Sequence, residues 1–150
     1  MIRRQIKKED QINQTYQSWN SFVDLLALET YDDLTEIQRR AQLVFWYDAE
    51  VNNGGHLQYF LNSAGKRSFE TLDVLSELGL WSQHSILQEA IENLQENPLP
   101  SIETAEEYVV EALEGKFDKL DQRYYACQNE IDSFLEKYLE ENFDEFIELT

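Results

Sequence analysis

Proline occurs at only two positions in this chain, Pro98 and Pro100, and glycine at only five. A backbone with so few breakers, rich in Leu, Glu, Gln and Lys, favours helix over every other regular structure. No convincing alternating strand and no internal repeat interrupts the pattern. The expected fold class is therefore all-α, a single compact multi-helix domain over residues 1–150. A chain of 150 residues suits one core, and one this long buries about 70% of its unfolded surface. Three Trp, eight Phe and eight Tyr supply that core and exclude disorder.

Local signals divide the chain into helices. The first is expected at about 12–29, with Trp19, Phe22, Val23 and Leu26 on its buried side. A second begins near Thr35, where Thr35-x-x-Gln38 can form a capping box. Its stripe is Ile37, Ala41, Val44 and Phe45, and Asn52-Asn53-Gly54-Gly55 ends it. A short helix from His56 to Leu61 follows, and Asn62-Ser63-Ala64-Gly65-Lys66 is a turn. Ser68 can cap a helix carrying Phe69, Leu72, Leu75 and Leu78 before Gly79. Ser82 can cap another, with Leu87, Ala90, Ile91 and Leu94 inward. After the break at Pro98-Leu99-Pro100, Thr104-x-x-Glu107 forms a further box, and Gly115 closes that helix.

Phe117, Leu120, Tyr124, Cys127, Ile131, Phe134 and Tyr138 then form a seam repeating every seven residues. It fits one long helix, or two broken near Asp121 or Gln128. Such a seam serves a packed core or a dimerising coiled coil.

Twelve Lys and Arg against thirty Asp and Glu give a net charge of −18. The excess is uneven: Arg3, Arg4, Lys7 and Lys8 make residues 1–11 a basic N-terminal arm, and no acid precedes Glu9. Such charge serves solubility or attracts a cationic partner; of itself it stabilises nothing. It disfavours direct nucleic-acid binding, because phosphates require Lys and Arg. A helical wheel over 103–114 gathers Ala105, Tyr108, Val109, Ala112 and Leu113 on one side. Glu103, Glu106, Glu107, Glu111 and Glu114 gather on the other. In the last helix Ile131, Leu135, Tyr138, Leu139 and Phe146 lie inward. Asp132, Glu136, Glu140 and Asp144 lie outward, opposed only by Lys137. Carboxylates at i and i+4 stand about 6 Å apart along the axis, close to the spacing of phosphates on a DNA strand. An ordinary solvated face mixes signs, because like-charged neighbours oppose the helix. These nine acids are the candidate partner-binding residues.

Catalytic and metal chemistry find little support. His56 and His84 have no companions at ligand spacing, so no metal and no cofactor are expected. Cys127 lies on the core seam, where cysteines are inert, and pairs with neither histidine as a nucleophile. No phosphate loop or dinucleotide glycine pattern occurs. The chain is therefore expected not to be an enzyme. One cysteine fits a reducing compartment. The basic start is followed by no apolar run, so neither signal peptide nor membrane span is expected, and the location is cytoplasmic.

The segment from Glu50 to Gly65 is dense in Asn, Gln and Gly, as hydrogen bonds bracing two tight turns would require. The other reading is a polar binding cleft. Glu50, Asn52, Asn53, Gly54 and Gly55, then Gln58 and Phe60, then Asn62 and Gly65, resemble a motif of the bacterial double-stranded-DNA-mimic protein family. Leu72 to Leu94 and Phe117 to Tyr125 fit the same family, so the resemblance spans roughly 35–148. The motif residues are expected to be mainly structural. His56 stands where the family pattern leads one to expect an apolar residue.

The resemblance implies an all-helical homodimer whose surface carboxylates imitate the phosphates of duplex DNA. Such a protein occupies the DNA site of a basic DNA-binding protein, a transcription factor or nucleoid protein, and inhibits it. The alternative is an immunity- or antitoxin-type inhibitor of a basic toxin or nuclease.

Overall fold

A computed structural model describes residues 1–14, 16–127 and 129–150. Among them the fold is all-α, as the scarcity of breakers implies. The helices are α1 (Lys8–Asn13), α2 (Tyr16–Leu28), α3 (Glu36–Leu61), α4 (Ser68–Glu77), α5 (Trp81–Glu96), α6 (Ala105–Leu113), α7 (Asp118–Ala126), α8 (Glu130–Glu141) and α9 (Phe143–Phe146). No helix among the described residues is long and apolar enough to cross a membrane. The chain divides into two compact units, Met1–Trp46 with Asn129–Thr150, and Tyr47–Gln128.

The first unit is built from both ends of the chain. Strand β1 (Arg4–Ile6) pairs in parallel with β2 (Ile147–Leu149), Arg4 opposite Ile147 and Ile6 opposite Leu149. This small sheet corrects the expectation of a chain without strands. Three residues are too few to show alternation, and the pairing joins segments more than 140 residues apart. Much of the basic arm is thereby engaged. Arg4 pairs with Asp24 at 2.6 Å and Glu29 at 2.7 Å, and Arg3 with Glu148 at 3.2 Å.

The helix expected over about 12–29 is two, α1 and α2; position 15, between them, lies outside the described residues. Phe22, Leu25 and Leu26 are buried with Ala41, Val44, Ile131, Leu135, Phe146 and Ile147. The rings of Phe22 and Phe146 meet edge to face at 4.7 Å. The Thr35 capping box forms. The Thr35 N–H donates to Gln38 Oε1 at 2.9 Å, and the Gln38 N–H to Thr35 Oγ1 at 3.3 Å. The Gln38 amide, itself fully buried, donates to the carbonyls of Ile2 and Glu145, both at 2.7 Å.

In the second unit α4 packs on α5 and α5 on α7. Its core holds Tyr47, Val51, Tyr59, Leu75, Ile86, Leu87, Ala90, Ile91, Phe117, Leu120 and Tyr124. Gly79, in the left-handed region at φ 74, ends α4, and the Leu80 N–H returns to the Leu75 carbonyl at 2.9 Å. The two serine caps do not form. Ser68 is the buried first residue of α4 and Ser82 lies inside α5, so the residues before these helices are Arg67 and Leu80. Phe69, expected inward, is exposed. The seven-residue seam divides between α7 and α8. Asn129 between them is left-handed, φ 81, so the two-helix form of the seam holds. Its break at Asp121 is overturned, because Asp121 lies within α7. The other expected break, Gln128, lies outside the described residues.

Candidate functional site

The Asn-Gly-Gly motif makes a kink. Helical geometry in α3 fails at Gly54 (φ −152, ψ 20) and Gly55 (φ 72, ψ −173) and resumes for the short segment to Leu61. Only Gly55 is left-handed, and a Cβ there would run into the carboxylate of Asp121, which reaches in from α7. That carboxylate is why the space must stay empty. Asp121 Oδ1 accepts the backbone N–H of His56 at 2.9 Å and lies 2.6 Å from His56 Nδ1. It caps the restarted helix from a distant part of the chain.

The other ring nitrogen of His56 lies 2.8 Å from the Tyr47 hydroxyl. Burial pushes the Tyr47 phenol well above its usual range, and Tyr59, Cys127, Asp121 and Asp48 add to the effect. Tyr47 therefore keeps its proton, and the two ring nitrogens of His56 bridge its hydroxyl and the Asp121 carboxylate. Beside it the Tyr124 hydroxyl donates to Asp48 at 2.6 Å. Asp121, His56 and Tyr47 stand in the order of a nucleophile relay, but Tyr47 is 0% exposed. Its hydroxyl is not offered to a substrate.

The rest of the motif braces the kink. Glu50 Oε2 accepts from Gln58 and Asn62, both at 2.7 Å, and Asn53 donates to Gln58 at 3.1 Å. Phe60 packs on Phe117 at 5.5 Å between ring centres. A side chain at Gly65 would collide with the Tyr59 carbonyl. Asn52 is exposed. An opening here, about 90 Å³, is lined by Gly54, Leu57, Tyr108, Glu111 and Asp121 among others. Sequence reading missed Asp121 as the partner of His56, since 65 residues separate them; the only trace was its place in the stretch 117–125.

The two acidic faces differ. On α8, Ile131, Leu135, Tyr138 and Leu139 are buried and Asp132, Glu136 and Glu140 are exposed, as the wheel requires. Asp144, also exposed, belongs to the separate α9. Lys137 points outward too and pairs with Glu141 at 3.8 Å.

On α6 the wheel is corrected. Glu111, placed outward by its spacing, is buried at 6% exposure, 2.7 Å from Lys116 Nζ. Val109, Val110 and Leu113 are exposed instead. Gly115, left-handed at φ 65, turns the chain so that Lys116 reaches back to Glu111 and, at 3.5 Å, to Glu114. Glu103, Glu106, Glu107 and Glu114 remain exposed. Thr104 caps the helix through the Glu107 N–H at 3.1 Å, and Glu107 in turn accepts the Glu103 N–H at 3.2 Å.

Set beside known proteins, residues 32–142 match the family described as DMP19-like protein. The chain belongs to the DMP19-like protein family. No curated protein and no solved structure matches it. The family match spans the kink, Asp121 and α8, so the geometry above gives the motif of this DMP19-like chain a physical reason: the glycine admits a capping carboxylate.

Two remaining candidates sit outside that network in the same family domain. His84 is half-buried, its ring 5.7 Å from Trp81. Cys127 is half-buried, its Sγ 3.1 Å from the Tyr124 carbonyl and 3.5 Å from Gln83. Among the described residues, no group of three His, Cys, Asp or Glu side chains is placed to hold a metal ion.

Proposed function

We propose that the chain acts by binding, as an acidic mimic of duplex DNA that occupies the DNA site of a basic DNA-binding protein and inhibits it. The observation that carries this reading is the exposed row Asp132, Glu136 and Glu140 on α8. One helical turn and a little more, about 6 Å, separates successive members. Their helix is held by a buried stripe, so the row is presented on a rigid support. Membership of the DMP19-like family supports it further. On this reading the protein is a cytoplasmic homodimer, performs no catalysis, needs no cofactor, and does not itself bind nucleic acid.

The test is a competition. The immobilised protein is exposed to a bacterial lysate and washed, and bound proteins are released with duplex DNA or with salt. The expected result is a DNA-binding protein that duplex DNA displaces, whose affinity falls steeply as added salt shortens the Debye length below about 8–10 Å. Replacement of the row by Asp132→Asn, Glu136→Gln and Glu140→Gln should sharply weaken capture at low salt. A basic protein that salt releases but duplex DNA does not would point to the toxin or nuclease inhibitor instead.

A further inference from the structure

We propose that α6 and the loop before it form a groove that docks a basic segment bearing apolar side chains, supplied by the protein's partner. This deepens the mimic reading and rests on it for the identity of that partner. The groove encloses about 640 Å³, and its lining includes Ile102, Val110, Glu106, Glu107 and Glu114. One wall is α6, an amphipathic helix turned the unusual way: Val110 lines the groove, and Val109 and Leu113 continue the apolar surface beside it. Val109, Val110 and Leu113 are 54%, 62% and 81% exposed, while the inward positions are the half-buried Tyr108 and the buried Glu111. Residues at i, i+3 and i+4 share a face, so these three form one apolar ridge flanked by carboxylates.

Charge decides what covers it. The same face of a second copy would bring Glu106, Glu107 and Glu114 against their own kind. A cationic segment meets the rim with the opposite sign. The stems of Lys and Arg are apolar and lie along apolar surface while their heads reach carboxylates, and Ile102 and Val110 beside Glu106 and Glu107 offer both halves of that contact. Phosphates of duplex DNA offer only the charged half. A partner engaged here is therefore held by a component that salt does not screen, which gives the mimic an advantage over the DNA it displaces.

Two labelled peptides test this with the full-length protein. One is an amphipathic helix with Lys and Arg on one face and Leu at i, i+3, i+4 and i+7 on the other; its control has every Leu replaced by Ser. Affinities are read by fluorescence anisotropy at low salt and at about 1 M salt, where the screening length is about 3 Å. At high salt the amphipathic peptide should bind at least about tenfold more tightly than its Ser control. The double variant Val110→Ser, Leu113→Ser should erase that preference at an unchanged denaturation midpoint, and Val110→Ile should keep it. Equal affinity for the two peptides, or a preference that survives the double variant, would overturn the proposal. So would light scattering in which the double variant turns a wild-type dimer into a monomer, since the ridge would then belong to a second copy. Failure of duplex DNA to displace the captured partner sinks the mimic reading alone and leaves the peptide result standing.

Discussion

Helices α6 and α8 read alike as sequences and differ as structures. Each has an apolar stripe and an opposing set of acids. α8 buries its stripe and exposes its acids; α6 exposes Val109, Val110 and Leu113 and buries Glu111. A wheel ranks residues by their preference for water, but it does not report whether a neighbour is present to receive them. The stripe of α8 has four large side chains, two of them a leucine and an isoleucine at i and i+4, and packs in a core with Phe22 and Phe146 in the same unit. The stripe of α6 contains two alanines. Its helix is fixed instead by a polar device, the return of Lys116 to Glu111 after a left-handed glycine.

The largest effect that separates the two helices is truncation of a leucine in each. Leu135→Ala should cost about 2–5 kcal/mol, the range for a buried leucine. Leu113→Ala should stay within about 0.5 kcal/mol, as an exposed substitution does. Denaturant melts read side by side check this, and a large loss at Leu113 would show that α6 packs as α8 does.

High pH should act next. Burial raises the Tyr138 phenol to about 12, against an ordinary value of 10.0, the nearby Glu145 and Glu36 adding and Arg40 opposing. The folded state holds this proton more tightly than the unfolded chain, so the associated stability is complete below pH 10 and is lost as pH rises towards about 12. Tyr59 in the second unit, also raised to about 12 mainly by burial, adds to the same window. Tyr138→Phe should reduce the decline measured by melts at successive pH values, leaving the part due to Tyr59 and to Tyr47, Tyr124 and Tyr125, whose phenols burial also raises.

Glu111→Gln comes third. Removing the charge leaves Lys116 without its nearest partner, so the midpoint should fall. Purely outward acids would give the opposite sign, a small gain from relieved repulsion. The smallest effect belongs to Glu136→Gln on α8, which should change stability by no more than about 0.2–0.5 kcal/mol. At that site the consequence is expected in partner affinity, measured by titration at low salt.

What could be read from the sequence was local. Thr35 with Gln38, and Thr104 with Glu107, are three residues apart, and both caps form. The Gly54-Gly55 break was legible because glycine marks its own conformation. What stayed hidden depends on distant residues. Nothing near His56 announces Asp121, and nothing near Arg4 announces Ile147. Ser68 carries the side chain of a cap but is the buried first residue of its helix, one position too late to cap it. Of the candidate acids, the α8 row followed from its spacing, whereas Glu111 was misplaced because its partner lies beyond the helix in a loop.

The pairing of β1 with β2, and the grip of Gln38 on Ile2 and Glu145, also bear on synthesis. A ribosome delivers the chain from one end. The second unit is a continuous stretch and can assemble as soon as it has emerged, whereas the first waits for residues 147–149 before its sheet can close. Until then Phe22 lacks the ring of Phe146 that it meets edge to face in the finished unit. A nascent chain stalled short of Phe146 should therefore be a substrate for chaperones and proteases even with every helix of the second unit already formed.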